Sequence, residues 1–160
     1  MSFNLSVFTS NSFIRKDGRL SIGYPPGSWI VERHLHLKEY FGSRIKHLSY
    51  YGFLTNDNNF GVLQVKKHFA HPCSLGILKR SWAELCSFCH YNPWLEIIVN
   101  YPGEGAILKG QMPFNSISQI ISNRPDNLEI RRVYKDGTVQ AKLIPDRSTK
   151  NWNDFTRPCT

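Results

Sequence analysis

The sequence predicts one α+β domain spanning residues 1–160, built mainly from antiparallel β-hairpins with two or three helices. Two Asp-Gly pairs stand between segments of alternating apolar residues, a pattern typical of tight hairpins. Two other segments carry apolar residues at helical spacing, and strands and helices do not alternate regularly. Because hydrophobic residues make up 41% of the 160-residue chain, the domain can bury a substantial core.

The two predicted hairpins lie near the two ends of the chain. The first covers residues 12–24, and its Asp-Gly turn ends at Gly18. The second covers residues 128–144, and its Asp-Gly turn ends at Gly137. In both, the residues beside the turn alternate between apolar and polar, which favours strands with one buried face.

Four further segments complete the predicted domain. Residues 60–69 and 94–101 are rich in Val, Ile and aromatic residues, which favours strands. Residues 30–41 fit both a helical face and a strand, and both readings stay open at this point. Residues 146–160 are expected to form a C-terminal tail packed on the domain.

Two helices are predicted from capping residues and apolar spacing. Ser74 is a suitable N-cap for a helix that ends before Pro93. Asn115 or Ser116 can cap a shorter helix that ends before Pro125. The second helix carries isoleucines on one face, as expected for a helix packed on a sheet.

The composition places the protein in the cytoplasm. The first residues have neither the basic region nor the sustained apolar run of a secretory signal. No stretch of 18 apolar residues occurs, so no membrane contact is expected. The four cysteines are compatible with free thiols in a reducing compartment.

A zinc site is the first candidate for chemistry. The ligand types that suit zinc are present at His71, Cys73, Cys86, Cys89 and His90. If the helix after Ser74 forms, however, it places Cys86 roughly 20 Å from Cys73, whereas zinc ligands lie about 2.0–2.3 Å from the metal. We therefore predict no metal and no cofactor, with metal binding by these residues as the alternative.

Motifs of the common enzyme classes do not occur in the sequence. It contains no Gly-x-Gly-x-x-Gly, no Walker loop, no Gly-x-Ser-x-Gly and no His-Glu-x-x-His. These motifs carry dinucleotide binding, phosphate binding, serine hydrolysis and zinc-dependent proteolysis. The sequence therefore favours a protein that is not an enzyme.

The positive charge is concentrated in the middle of the chain. The chain has 20 Lys and Arg against 12 Asp and Glu, a formal charge of +8, which favours polyanionic or acidic partners. Cations interleaved with aromatic residues are typical of single-stranded nucleic-acid binding. The predicted partner-binding residues are Arg33, His36, Lys38, Arg44, Lys46, His47, Tyr50, Tyr51, Lys66, Lys67, Lys79 and Arg80. The alternative is that the aromatic residues pack into the core and the cations form a solvated face.

The predicted function is a non-enzymatic domain that binds nucleic acid or a nucleoprotein complex through this basic segment. A first alternative is a protein-interaction or inhibitor protein, for example a phage- or plasmid-encoded anti-defence (anti-CRISPR-like) factor that contacts an acidic protein surface. A second alternative is a small metal-independent ribonuclease that uses His36 or His47 as a base.

Overall fold

The computed structural model describes residues 3–48, 52–56, 59–104, 110, 114–134, 139–140 and 148–149. Seven strands lie within this part of the chain. They are β1 (Leu5–Ser10), β2 (Phe53–Thr55), β3 (Phe60–Gln64), β4 (Ile97–Asn100), β5 (Leu128–Val133), β6 (Val139–Gln140) and β7 (Ser148–Thr149).

The seven strands form one mixed sheet in the order β2-β3-β1-β4-β5-β6-β7. The four central strands β3, β1, β4 and β5 are parallel to one another. The pairings at the two edges are antiparallel. Every residue of β3 and β4 is buried, as expected for parallel strands covered by helices on both faces.

Four helices are described, and they connect the strands. They are α1 (Gly27–Arg33), α2 (Leu37–Leu48), α3 (Leu75–Tyr91) and α4 (Phe114–Ile121). Helices α1 and α2 follow β1, α3 joins β3 to β4, and α4 joins β4 to β5. Helix α3 begins where the sequence predicts, because the Ser74 side chain accepts a hydrogen bond from the backbone N of Ile77.

Alternation along the strands divides the core between the two faces of the sheet. Val7 of β1 belongs to the cluster that contains α3 and α4. Its neighbour Phe8 points the other way, into the cluster that contains α1 and α2. There the ring of Phe8 meets the ring of Phe41 edge to face, with 6.1 Å between the centroids. The architecture is therefore a helix–sheet–helix sandwich.

The prediction of one compact domain that combines helices with a sheet is correct. The prediction of mainly antiparallel hairpins is wrong, because the central strands of the sheet are parallel. Residues 12–24 form a turn closed by one isolated bridge between Ile14 and Leu20. In the second predicted hairpin, β5 does pair antiparallel with β6, while residues 135–138 and 141–144 lie outside the described part. Asp-Gly pairs indicate local turns, whereas the central strands pair with segments far away in the sequence.

The remaining elements agree more closely with the sequence. Helix α3 confirms the predicted long helix, and α4 starts one residue before the predicted cap Asn115. Residues 30–41 are helical apart from the turn between α1 and α2. Strands β3 and β4 occupy parts of the predicted strands 60–69 and 94–101. Of residues 146–160, only β7 is described. Among the described residues, no helix is long and apolar enough to cross a membrane.

Candidate functional site

The four parallel strands end at one edge of the sheet, here called the carboxyl edge. It is formed by the last residues of β1, β3, β4 and β5 and by the residues that follow them. After β1 the chain continues toward the β3 side of the sheet, whereas after β4 it continues toward β5 on the other side. Helices α1 and α2, which follow β1, and helix α4, which follows β4, lie on opposite faces of the sheet. Open α/β sheets bind ligands outside the carboxyl ends of strands at such a change of direction. The candidate site therefore lies between the ends of β1 and β4.

The backbones of β1 and β4 separate at this point. Their pairing ends at Val7 opposite Val99, although β1 continues beside β3 as far as Ser10. The side chain of Asn100 fills the gap: its Oδ1 accepts a hydrogen bond from the Thr9 backbone N at 2.9 Å, and its Nδ2 donates to Thr9 Oγ1 at 2.8 Å. Asn100 is buried, so these bonds fix the two strand ends away from water.

Polar side chains hold the segment that leaves β1. Asn11 Nδ2 donates a hydrogen bond to the Ser21 carbonyl oxygen at 3.0 Å. Gln64, the last residue of β3, donates through Nε2 to Ser12 Oγ at 2.6 Å. By contrast, Ser10 Oγ is buried and has no hydrogen-bond partner among the described residues. Because buried polar atoms are nearly always hydrogen-bonded, this hydroxyl is a candidate contact for a ligand.

Lys66 and Lys67 follow β3 at the carboxyl edge. The Lys67 carbonyl oxygen accepts a hydrogen bond from the Ser12 backbone N at 3.3 Å, which ties this segment to the one after β1. Burial raises the pKa of the Cys73 thiol to about 11, and the nearby Lys66 ammonium opposes the rise. Cys73 in turn contacts the turn after β4, where a Cβ on Gly103 would lie 3.4 Å from its Cβ. Lys66 therefore follows β3 at the carboxyl edge, near Cys73, which itself lies beside the turn after β4.

A buried ion pair lies beside the end of β4. Glu104 is 4% exposed, and its Oε1 accepts hydrogen bonds from Arg132 Nε at 2.7 Å and Nη2 at 2.6 Å. Burial raises the pKa of the Glu104 carboxyl, and the hydrogen bonds and charge of Arg132 oppose the rise. Within the described part of the chain, Glu104 Oε2 has no hydrogen-bond partner. The carboxyl edge thus contains a second buried oxygen that can accept a hydrogen bond.

Aromatic rings hold Arg132 in position. Its guanidinium carbon lies 5.4 Å from the ring centroid of Tyr101, 4.9 Å from that of Phe114 and 5.5 Å from that of Tyr134. The Tyr101 and Phe114 rings are stacked at 4.9 Å. Burial raises the pKa of the Tyr101 phenol, so its hydroxyl stays protonated at neutral pH and can donate to the Phe114 carbonyl oxygen at 3.1 Å. These contacts fix the direction from which Arg132 approaches Glu104.

Ten of the twelve predicted binding residues lie in the described part of the chain, and of these the structure brings Lys66 and Lys67 to this edge. Four others are exposed or partly exposed on or near α1 and α2, at Arg33, His36, Lys38 and Arg44. Lys46 is exposed on α2, and His47 lies on the same helix. Lys79 and Arg80 are exposed on α3, which covers the opposite face of the sheet. Tyr50 and Tyr51 lie outside the described residues. The described residues of the basic segment therefore do not form one surface.

The residues of the candidate zinc site are distributed along a continuous helix. Cys86 and Cys89 lie on α3, and Cys73 precedes it. Burial raises the pKa of the Cys89 thiol to about 12, which disfavours the thiolate that zinc requires. No group of three His, Cys, Asp or Glu side chains in the described ranges is arranged to hold a metal ion.

The chain has a macrodomain-like α/β fold, with its candidate crevice at the carboxyl ends of parallel strands. Three solved structures are similar to this chain in fold. The macrodomain of Thermus aquaticus DarG matches with a TM-score of 0.57 and 15% identity, covering 81% of this chain and 88% of that one. For the macrodomain of Mycobacterium tuberculosis DarG, the TM-score is 0.55 and the identity 13%, with 76% and 80% covered. Thermosipho africanus DarTG in complex with ADP-ribose matches with a TM-score of 0.59 and 11% identity, covering 89% of this chain and 40% of that one.

At sequence identities of 11–15%, the similarity to these structures establishes the fold alone. No protein-family model matches the sequence, and no curated protein matches it either.

The comparison overturns the function predicted from the sequence. Two of the structures that share this fold are macrodomains, and the third, DarTG, is in complex with ADP-ribose. The prediction of a module that binds nucleic acid or a nucleoprotein is therefore wrong, and so are the inhibitor and ribonuclease alternatives. The physical reason is the dispersal of the basic residues over both faces of the sheet. Of the two histidines proposed as bases, His36 lies exposed in the turn between α1 and α2.

Sequence reasoning missed the polar residues that end the central strands. They are Ser10, Asn100 and Glu104, together with Arg132 of β5. A usable signal was present, because the apolar stretches of β1 and β4 both end in polar residues. They are Thr-Ser-Asn at the end of β1 and just after it, and Asn-Tyr-Pro-Gly-Glu at the end of β4 and in the turn after it. This signal has meaning only if the strands are parallel, since only then do their ends meet at one edge.

Proposed function

We propose that the protein binds ADP-ribose, with the ligand in the crevice at the carboxyl edge between β1 and β4. The observation that carries the proposal is the macrodomain-like fold, which this chain shares with a structure in complex with ADP-ribose. The position of the crevice at a change of strand direction supports it, because nucleotide ligands occupy such crevices in open α/β sheets.

The chemistry of the carboxyl edge suits a ligand that contains both phosphates and sugar hydroxyls. Lys66 and Lys67 supply positive charge for a diphosphate. Ser10 Oγ and Glu104 Oε2, which are buried and unpartnered among the described residues, supply oxygens that can accept hydrogen bonds from ribose hydroxyls. An ionised carboxylate can accept hydrogen bonds but cannot donate them. Glu104 Oε2 therefore favours a neighbouring hydroxyl group of the ligand over a neighbouring phosphate.

The proposal is tested by calorimetric titration of the purified protein with ADP-ribose. We expect saturable binding with one site per chain. The variant Lys66→Ala/Lys67→Ala is expected to bind at least about tenfold more weakly, because charge-assisted hydrogen bonds contribute roughly 1.5–3 kcal/mol each.

The matched control is Lys79→Ala/Arg80→Ala, which removes two neighbouring exposed cations from α3 instead of from the carboxyl edge. This control lowers the net charge of the protein by the same amount as the Lys66/Lys67 variant. Any weakening of ADP-ribose binding in the control therefore measures only the loss of long-range electrostatic attraction. Equal weakening by both double variants would mean that the ligand does not lie at the carboxyl edge. A wild-type protein that does not bind ADP-ribose would refute the proposal itself.

A further inference from the structure

Three rings form a cluster that is partly exposed to solvent at the carboxyl edge. The centroid of Phe13 lies 4.7 Å from that of His68 and 5.4 Å from that of Phe69, and both contacts are edge to face. His68 and Phe69 lie 4.1 Å apart with their planes inclined by 31°. Phe69 is 53% exposed. These three residues are called the aromatic platform below.

The backbone around the platform is held by hydrogen bonds. The Ala70 backbone N donates to His68 Nδ1 at 3.0 Å, which fixes the ring and leaves its second nitrogen to carry the proton in the neutral form. The His71 backbone N donates to the His68 carbonyl oxygen at 3.1 Å. The His68 ring of the platform is therefore held in place before a ligand binds, which lowers the conformational entropy lost at this ring on binding.

The platform adjoins the cations of the proposed ADP-ribose site. Phe13 belongs to the segment that follows β1, and Phe69 follows β3 by a few residues. Lys66 Nζ donates a hydrogen bond to the Phe69 carbonyl oxygen at 3.2 Å. A flat apolar ring beside positive charge is complementary to a nucleotide, which joins a planar heterocycle to phosphate.

We propose that the aromatic platform stacks on a planar heterocyclic ring of the ligand whose phosphates lie toward Lys66 and Lys67. This inference rests on the proposed ADP-ribose binding and adds the position of a ring. Two sources share the required chemistry: the adenine of ADP-ribose, and a heterocycle attached to its second ribose, as nicotinamide is in NAD. The other large apolar side chains exposed in the described structure are Leu35, Tyr91 and Trp94, and none of them belongs to the carboxyl edge.

The test compares Phe69→Ala with Tyr91→Ala by titration with AMP, ADP-ribose and NAD. Both side chains are more than half exposed, so either variant is expected to fold, which circular dichroism verifies. Tyr91 is the last residue of α3 and lies a full helix length from the carboxyl edge, so its variant should bind like wild type. Phe69→Ala should weaken binding about tenfold or more, the effect typical of losing one aromatic ring under a base.

The pattern across the three ligands identifies the ring. Similar weakening for AMP, ADP-ribose and NAD places adenine on the platform. Weakening for NAD alone places the heterocycle of the second ribose there. Unchanged affinity for all three, or weakening that spares AMP but affects ADP-ribose, would overturn the inference while the proposed function stands. A wild-type protein that does not bind ADP-ribose would overturn both.

Discussion

Replacement of Asn100 by alanine tests whether this side chain holds β1 and β4 together where their backbones separate. The substitution removes the acceptor of the Thr9 backbone N–H and the donor to Thr9 Oγ1. A buried donor left without a partner costs about 1–3 kcal/mol, and a typical lost hydrogen bond about 1 kcal/mol more. We therefore expect Asn100→Ala to lower the free energy of unfolding by about 2–4 kcal/mol. For a domain of this size, this corresponds to a fall in Tm of roughly 5–15 °C.

Urea unfolding, followed by circular dichroism, measures this loss. Thr9→Val removes only the Oγ1 acceptor, so it should cost about 1 kcal/mol. The double variant should then be less destabilised than the two single effects together, because both remove the same hydrogen bond. Asn115→Ala is the matched control, since Asn115 is exposed on α4 and should change stability by less than about 0.5 kcal/mol.

Two results would refute the reasoning about Asn100. A loss below about 1 kcal/mol would mean that water or another group satisfies the Thr9 N–H. Strict additivity of the Asn100 and Thr9 variants would mean that the hydrogen bond between their side chains contributes nothing. ADP-ribose titration of the folded variant adds a separate readout, because weaker binding is expected only if the crevice depends on the distance between the ends of β1 and β4.

Two further substitutions probe close packing and the buried ion pair. Gly42→Ala should destabilise the protein by more than about 2 kcal/mol, because the new Cβ would overlap the backbone carbonyl oxygen of Gly18. Gly23→Ala, which meets no atom within 4 Å, should be close to neutral in the same thermal melt, and equal effects would contradict the packing argument. Glu104→Ala should cost about 3 kcal/mol, because it leaves the largely buried Arg132 side chain, which is 15% exposed, without its partner. Adding Arg132→Leu should recover much of that loss in urea unfolding, and no recovery would show that the buried charge is not the cause.

The parts of the fold that could be predicted are those with a local cause. Helix α3 was predictable because Ser74 caps its first turn and its apolar residues recur at helical spacing. The parallel pairing of the central strands was not predictable. β1 pairs with strands that begin at Phe60 and Ile97, far away in the sequence, and no turn residue indicates such a distant pairing. Asp-Gly pairs are strong local signals for turns, and the two pairs in this sequence lie near the two ends of the chain. The prediction of mainly antiparallel hairpins therefore relied on the ends of the chain and missed the parallel strands between them.

The candidate site could be predicted only in part for the same reason. Lys66 and Lys67 were predicted from their charge, which is visible in the sequence, and the structure places them at the carboxyl edge. Asn100 and Glu104 lie in or just after a strand and have no distinctive spacing. Their importance appears only once the topology places the ends of β1 and β4 side by side, with one side chain bridging the strands and the other buried against Arg132.

In the proposed site, the Glu104–Arg132 ion pair would allow a carboxylate to lie beside an anionic ligand. An unpaired Glu104 would repel a phosphate about 5 Å away by about 3 kcal/mol at an effective dielectric constant of 20. Arg132 binds Glu104 Oε1 through two nitrogens, so the charge is neutralised while Oε2 remains an acceptor. With Lys66 and Lys67 close by, cations outnumber carboxylates among these four side chains. In the proposed site, Lys66 and Lys67 would attract the phosphates, and Glu104 Oε2 would accept a hydrogen bond from a hydroxyl group of the ligand.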